Sequence, residues 1–453
     1  GLLAARSGDT SEARSDPTAA DEGSPGPSGG ASPGAASAAS PDPPAARADP
    51  TRADPTRANE ELAGLLAEED PERQLRRATR WLQAYPAHPR AQEVRRLRAR
   101  LRLHAPLARA DLAPAPNRTG AELVWTAFPR PDLVVAFLEG DRRLQRWRWD
   151  AGSYALEPLP PLGFQGFAAR IAAARGRVFV LAERPRIALY WSDGDAPLEE
   201  LALPRGSSPP PRKRAPRGYW ILSASSPRPG EWLVALSVAP RDYWVLSVDA
   251  AGKVRTVRRG KPPGRDAVVG LSLAPDGTGL LLCHAPRQVD PVEASARLLP
   301  LPAGLPRWQT SFPEPIRRPA WAADLLAVCS PWGHVYAGPA QAPPRLLLDP
   351  EAGSQRGMPL SVSHVGNCCA TAVAPNGVLV TAAWVPTDST LVDFPGSLDF
   401  RDAEPELKLW SPDGKALRRV GLPFQPLSLS VSLAGDVVAV GSRKRELSLH
   451  WIR

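Results

Sequence analysis

Residues Leu407–Arg453 decide the fold, and they read LKLWSPDGKALRRVGLPFQPLSLSVSLAGDVVAVGSRKRELSLHWIR. Between Leu427 and Leu433, leucine and valine alternate with serine. This period of two predicts a strand with one face in a core and the other face against water. A turn at Ala434–Asp436 interrupts the pattern, which then resumes near the end of the stretch. Short strands separated by tight turns at this spacing indicate an antiparallel sheet.

The composition fits a protein with a large folded part and a remainder that is rich in proline. Of 453 residues, 43% are apolar, which is enough for a sizeable core, and 54 are proline, about twice average usage. The formal charge of +9 suits an anionic partner such as nucleic acid, and it equally suits an arginine-rich surface that only faces water. The four cysteines have no CxxC spacing, so the sequence predicts neither a disulfide framework nor a zinc ribbon.

Two features of the sequence bear on the cellular compartment of the protein. No apolar run approaches the roughly 18 residues that a membrane helix needs, so we expect no membrane span. The sequence starts at Gly1 and has a single methionine, Met358, from which we expect a removed signal, a missing upstream domain or a missing anchor. These alternatives leave the localisation open between a cytoplasmic protein and an extracytoplasmic, tethered one.

The first hundred residues divide into two predicted segments. Residues 1–57 are rich in Pro, Ala and Ser with almost no large apolar residue, so we expect a disordered tether. Residues 58–104 change to a helical period, with predicted caps at Asn59 and Asp70 and an arginine-rich helix after Pro89. Residues 70–103 resemble one tetratricopeptide repeat. One repeat is too few for a solenoid, so we expect a helical segment that packs on the next domain or on a second chain.

From residue 105 to residue 453 the strand pattern repeats seven times, with four short runs in each complete repeat. In the first repeat these runs are 122–128, 132–138, 143–149 and 154–159. Turns with Pro, Asp or Asn, and Gly recur at fixed places, because Pro presets the first turn residue and Gly accepts a positive φ. Examples are Ala274–Gly277 and Ala374–Gly377 after first runs, and Trp410–Gly414 after a third run.

On this pattern and these turns, residues 105–453 resemble the WD40 and related bacterial β-propeller superfamily. Only Trp149-Asp150 reproduces the Trp-Asp pair of that family. The resemblance implies a mainly β fold, a seven-bladed β-propeller preceded by the short helical segment and the disordered tail. The last repeat lacks a fourth strand, and an open edge there would favour aggregation. We therefore predict that Leu107–Leu112, which alternates but has no repeat of its own, closes the ring by pairing with residues 446–452.

Binding residues are predicted in the long connections, which the resemblance places on one face of the disc. These connections are residues 204–218, 284–293 and 385–406. The predicted binding residues are basic in the first and acidic or aromatic in the third: Arg205, Arg212, Lys213, Arg214, Arg217, Asp388, Asp393, Phe394, Asp399, Phe400 and Asp402. They would form a polarised recognition surface. The alternative is that loops merely tolerate insertions and that the two charged loops neutralise each other.

The sequence contains no recognisable catalytic motif, such as GxSxG, a Gly-rich phosphate loop or HExxH. His364, Cys368 and Cys369 are candidate soft ligands, but neighbouring residues on a strand face opposite sides. We therefore predict no metal, no cofactor and a non-catalytic scaffold that binds a protein partner. The alternatives are an enzyme or small-molecule binder that uses the central channel, and a binder of anionic partners such as nucleic acid. The arginines and tryptophans of Arg142–Trp149 suit the last alternative, although we expect them to alternate on an exposed third strand.

Overall fold

The structure is a computed structural model that describes residues 55–114, 123–183, 187–204, 220–286, 293–331, 333–348, 367–384 and 405–452. These residues form three helices followed by 28 strands. Within the described ranges, no helix combines the length and the apolar character that a bilayer crossing requires.

The helices are α1 (Pro55–Leu66), α2 (Pro71–Ala84) and α3 (Ala91–His104). The predicted cap of α2 is confirmed, because the Asp70 carboxylate accepts a hydrogen bond from the backbone N–H of Glu72 at 2.9 Å. The predicted cap at Asn59 is wrong, since α1 begins at Pro55 and Asn59 lies inside it. Proline is well suited to the first turn of a helix, where no intrahelical N–H bond is lost.

The strands form seven four-stranded antiparallel sheets, numbered here as blades in chain order. Blade 1 contains β2 (Val124–Arg130), β3 (Leu133–Leu138), β4 (Arg143–Asp150) and β5 (Ala155–Gly163). Blade 2 contains β6 (Phe167–Ala174), β7 (Arg177–Glu183), β8 (Ile187–Ser192) and β9 (Glu199–Leu201). Blade 3 contains β10 (Ile221–Arg228), β11 (Glu231–Ala239), β12 (Asp242–Asp249) and β13 (Val254–Gly260). Blade 4 contains β14 (Ala267–Leu273), β15 (Gly279–Ala285), β16 (Ala294–Pro300) and β17 (Trp308–Phe312).

Blade 5 contains β18 (Arg317–Ala322), β19 (Leu325–Cys329), β20 (Val335–Pro339) and β21 (Arg345–Leu347). Blade 6 contains β22 (Asn367–Val373), β23 (Leu379–Trp384), β24 (Glu406–Trp410) and β25 (Ala416–Gly421). Blade 7 contains β26 (Pro426–Val431), β27 (Val437–Ser442), β28 (Glu446–Trp451) and, from before blade 1, β1 (Ala108–Asp111).

The first strand of each blade lines a central channel. Neighbouring innermost strands contact one another around a closed ring, in the order β2, β6, β10, β14, β18, β22, β26 and back to β2. The second strands are buried almost throughout, and the apolar clusters lie between adjacent blades. The described strands therefore form a seven-bladed β-propeller, which confirms the predicted fold class. The predicted disordered tether, residues 1–57, lies outside the described residues except for 55–57, which belong to α1.

The tight turns lie on one face of the disc. Gly277 and Gly414 end turns predicted from the sequence, and both have positive φ, 73° and 86°. All innermost strands begin at the opposite face, where the second strands end and the third strands begin. We call this opposite face the long-loop face and the other the turn face.

Blade 7 is completed by a strand from the start of the domain. β1 pairs with β28 in antiparallel register, with Ala108 opposite Leu449 and Asp111 opposite Glu446. Leu107, just before β1, is fully buried, and its N–H donates to the Leu449 carbonyl at 2.7 Å. The ring is thus closed by hydrogen bonds between its two ends.

The helices pack on this closing blade. Leu75 of α2 is fully buried in the same apolar cluster as Leu107 and Leu447. Glu72 accepts from the Arg109 guanidinium of β1 at 2.9 Å. In α3, the Arg102 guanidinium lies 3.6 Å from the centroid of the Trp451 ring. The helical segment is therefore fixed to the strand that closes the propeller.

Candidate functional site

All the binding residues predicted from the sequence lie outside the described residues. These are Arg205, Arg212, Lys213, Arg214 and Arg217 in the first loop, and Asp388, Asp393, Phe394, Asp399, Phe400 and Asp402 in the second. The described ends of both connections belong to the long-loop face, because one joins β9 to β10 and the other joins β23 to β24. His364 also lies outside the described ranges. The site is therefore built from the described residues of the same face.

The mouth of the central channel on this face holds a tryptophan contacted by two arginines. Trp125 is the second residue of β2 in blade 1. The Arg170 guanidinium of blade 2 lies 4.3 Å from its ring centroid, and the Arg318 guanidinium of blade 5 lies 4.5 Å from it. Both distances suit cation–π attraction. Since blades 1 and 5 are not neighbours in the ring, Arg318 reaches across the channel to make this contact.

Glu139 orients two members of this group. It follows β3 directly, and its carboxylate accepts from the Trp125 indole Nε1 at 3.0 Å and from Arg170 Nη1 at 3.3 Å. The side chains of Arg170 and Glu139 are only 15% and 12% exposed, so solvent screens their ion pair less than it would at an open surface. The tryptophan ring and the Arg170 guanidinium are thus held by one shared acceptor. We call Trp125, Glu139, Arg170 and Arg318 the channel-mouth cluster.

Bulges in the backbones of β6 and β18 orient Arg170 and Arg318. The pairing of β6 with β7 shifts between Ala168 and Arg170, and that of β18 with β19 shifts between Arg317 and Ala320. Such bulges redirect side chains at the rims of barrels and beside functional sites. Arg318 also has a φ of 51°, which costs a non-glycine residue roughly 1–2 kcal/mol. Its carbonyl accepts a hydrogen bond from the Thr371 hydroxyl of blade 6, which ties this conformation to the neighbouring blade.

Two further arginines stack on aromatic rings around the same mouth. The Arg142 guanidinium lies 4.6 Å from the centroid of Phe167, and the Arg443 guanidinium lies 4.6 Å from that of Trp384. Arg142 and Arg443 are exposed. A planar cation over an aromatic face is a common element of protein interfaces, where Arg and Trp are enriched. Together with the channel-mouth cluster, these pairs give the long-loop face a cationic surface supported by aromatic rings, since Trp125 and Trp384 themselves are buried.

Buried polar networks support this face in blades 4 and 5. Glu314, only 2% exposed, accepts hydrogen bonds from Ser330, His334 and Tyr336. Burial opposes ionisation of Glu314, but these hydrogen bonds outweigh it and keep the pKa of its carboxyl below the usual value. In blade 4, His284 Nδ1 lies 2.7 Å from Asp266 Oδ2, and burial lowers the pKa of His284 against the opposing effect of Asp266. These networks fix the connections between blades.

The expected exposed arginine stripe in blade 1 is wrong. Trp147 and Trp149 of β4 are buried, and Arg146 is 8% exposed, with its guanidinium donating to the carbonyls of Pro160 at 2.8 Å and Gly194 at 2.5 Å. Only Arg148 of the strand interior is exposed. Arg146 is a structural residue that joins blade 1 to a turn of blade 2, because buried guanidinium groups require several acceptors.

The described residues provide no constellation for metal binding or acid–base chemistry in the channel. No group of three His, Cys, Asp or Glu side chains that could hold a metal occurs among them. The seven innermost strands contain no Asp, Glu or His. The chemistry available at the channel mouth is hydrogen bonding and charge from guanidinium groups, because the Trp125 ring is only 7% exposed and its indole N–H already donates to Glu139.

Sequence reasoning missed the channel-mouth cluster. Arg170 stands in the small-residue run FAARIAAA of an innermost strand, and Arg318 stands beside a proline in another. A long cationic side chain in a strand of small residues is the signal that could have identified Arg170, whereas Arg318, in the strand RRPAWA, carries no such signal. Their convergence on Trp125 depends on how the ring closes, which no local pattern encodes.

The fold is similar to that of a solved structure. A chain of a mitotic checkpoint complex superposes with a TM-score of 0.51 at 13% sequence identity, covering 77% of this chain and 94% of that chain. The Pan2 WD40 domain of Neurospora crassa gives a TM-score of 0.49 at 11% identity, covering 76% and 94%. The fold is a WD40-like seven-bladed β-propeller. No protein-family model matches the sequence, and no curated protein matches it either. The likeness concerns the fold alone.

Proposed function

We propose that this protein is a non-catalytic recognition scaffold whose long-loop face binds a protein partner. The observation that supports the proposal is the channel-mouth cluster, together with the arginine–aromatic pairs around it. WD40 propellers are commonly protein-interaction scaffolds and are typically non-catalytic. In this proposal the partner contacts the rim through Arg142 and Arg443, and the two long connections contribute Arg205–Arg217 and Asp388–Asp402.

The chemistry at the mouth favours recognition over catalysis. Arginine stacked on an aromatic ring loses little side-chain freedom on binding, since its plane is already oriented. Two hydrogen bonds also hold the cluster in place before a partner binds. The Trp125 indole donates to Glu139, and the Thr371 hydroxyl donates to the Arg318 carbonyl. The innermost strands offer hydrogen-bond donors and apolar surface, with no titratable pair that could transfer a proton. A channel enzyme therefore has no support in the described residues.

Affinity capture tests the proposal. The immobilised protein is incubated with cell extract, and the captured proteins are identified by mass spectrometry. We expect the double variant Arg142→Gln/Arg443→Gln to lose most of the specifically captured protein. The matched control is Arg177→Gln, because Arg177 also stacks on a tryptophan, 4.6 Å from Trp191, but lies on the turn face. Equal capture by the parent protein, the double variant and the Arg177→Gln control would contradict the proposal.

A second variant addresses the long connection of blade 6. Deletion of residues 386–404 is expected to abolish capture and to leave the melting temperature nearly unchanged, because loops contribute little to core stability. Retained capture with an unchanged melting temperature would remove this loop from the proposed site.

A further inference from the structure

The outer edge of blade 3 carries cations without carboxylate partners. Between Asp249 and Asp266 the chain contains six cations and no acidic residue: Lys253, Arg255, Arg258, Arg259, Lys261 and Arg265. Arg258 donates to the Pro300 carbonyl at 2.7 Å, and the other five form no ion pair with any described residue. The two flanking carboxylates are engaged, Asp249 with backbone N–H groups of its own turn and Asp266 with His284. The edge therefore has an uncompensated positive charge.

The cations line an open strand edge. β13 is the outermost strand of blade 3 and pairs only with β12 among the described strands. A bulge in β13 places Arg255 opposite Ser247 and Arg258 opposite Val245, on one face of the sheet, while Arg259 lies opposite Trp244 on the other face. Cations therefore flank both sides of a row of unpaired backbone N–H and C=O groups.

The described outer strands of the other blades are less suited than β13 to pair with an added strand. β5 is longer, but it contains three prolines, which cannot donate to a ladder. β9 and β21 have only three residues each. In β25, Arg419 pairs with Glu406 at 2.9 Å and Arg418 donates to the Trp451 carbonyl. Of the described outer strands without proline, β13 is the longest, at seven residues, which is about 23 Å of edge.

We propose that an extended acidic segment of a partner protein binds along β13. An added strand alternates its side chains between the two faces, so its carboxylates would meet Arg255 on one face and Arg259 on the other. Its backbone would also use the unpaired N–H and C=O groups, as in strand addition to other sheet edges. A nucleic acid matches less well, because the outward carbonyls repel phosphate. In addition, the neighbouring Trp244 is only 3% exposed, so no aromatic platform is available for bases.

The variants that test this surface lie in β13 of blade 3, whereas Arg142 and Arg443 of the proposed function lie in connections of blades 1 and 7, so the two tests can fail independently. The probe is a fluorescein-labelled peptide of Glu-Glu-Thr repeats, which places Glu on both faces of an added strand, and binding to the full chain is measured by fluorescence anisotropy. We expect Arg255→Glu/Arg259→Glu to weaken binding by about tenfold or more, as expected for two charge contacts of about 0.7 kcal/mol each. The control Arg345→Glu reverses an exposed arginine on the outermost strand of blade 5 and is expected to change binding less than about twofold.

Two further probes separate the contributions. The same peptide with Gln in place of Glu, and a version with alternate backbone amides N-methylated, are each expected to bind more weakly, because one lacks charge and the other cannot form a ladder. A single-stranded oligonucleotide of equal length that binds as tightly as the acidic peptide would overturn the proposal in favour of a general polyanion surface. Absence of peptide binding would also overturn it, leaving the cations as a device that only keeps the edge from pairing.

Discussion

Replacing Leu107 by alanine tests whether the strand before blade 1 holds the ring closed. Leu107 is 0% exposed and packs with residues of β28, blade 1 and α2. The carbons lost on going to alanine are each worth about 0.8 kcal/mol by transfer from water, and the remaining cavity adds to that cost. We therefore expect the free energy of unfolding to fall by about 3 kcal/mol.

The assay is urea or thermal unfolding followed by the fluorescence of the 14 tryptophans. A loss of about 3 kcal/mol corresponds to a melting temperature lower by about 4 °C for a folded region of this size. The control is Leu305→Ala, because Leu305 is 87% exposed and its truncation is expected to change stability by less than about 0.5 kcal/mol. Leu112→Ala, at the other end of the closing strand and 2% exposed, should behave like Leu107→Ala. If Leu107→Ala and Leu112→Ala both have the same free energy of unfolding as the parent protein, the strand does not hold the ring closed.

Two further predictions concern a buried histidine and a closely packed glycine. His450 is buried, and desolvation lowers its pKa from 6.5 to about 3 in the folded protein. The unfolded chain takes up this proton as the pH falls through 6.5, so the free energy of unfolding should be nearly complete at pH 7.5 and lower by about 1.4 kcal/mol at pH 5.5. Unfolding titrations of His450→Gln should show a smaller loss, with exposed His104→Gln as control, and an unchanged pH dependence would refute the assignment. A Cβ on Gly441 would lie 2.5 Å from the Val124 carbonyl oxygen, so Gly441→Ala should destabilise the seam of blades 1 and 7 by about 2–3 kcal/mol. Gly163→Ala, with nothing within 4 Å of the added Cβ, should unfold like the parent, and equal melting of both variants would show that the seam relaxes.

The fold was readable because each blade is built from local signals. Alternation in runs such as Leu427–Val431 marks strands, although Ser428 is buried and does not face water as the alternation predicts. Pro-Asp-Gly turns fix where one strand ends and the next begins. The seven innermost strands and the tight turns at Gly277 and Gly414 agree with that pattern. Helix boundaries were less accurate, since a capping residue at Asn59 competes with a proline that can start a helix earlier.

The channel-mouth cluster was not readable for a different reason. Its members come from blades 1, 2 and 5, and bulges that depend on packing between blades decide where Arg170 and Arg318 point. Alternation also misassigned Arg146, because a third strand in this fold is covered by the next blade. Periodicity identifies which residues share a face of one strand. It does not identify what lies opposite that face after the ring has closed.

The closing strand has a consequence for how the protein is made. β1 precedes every blade in the sequence, and its partner β28 is the last of the described strands to be synthesised. Blades 1–6 can each assemble from consecutive residues of a nascent chain, in keeping with folding from the N-terminal side during translation. Leu107 and Ala108, in contrast, have no strand partner for their backbone until Leu449 has been synthesised. Translation that stops before β28 therefore releases an open arc with an unpaired, apolar strand at its start, which is a substrate for chaperones and proteases.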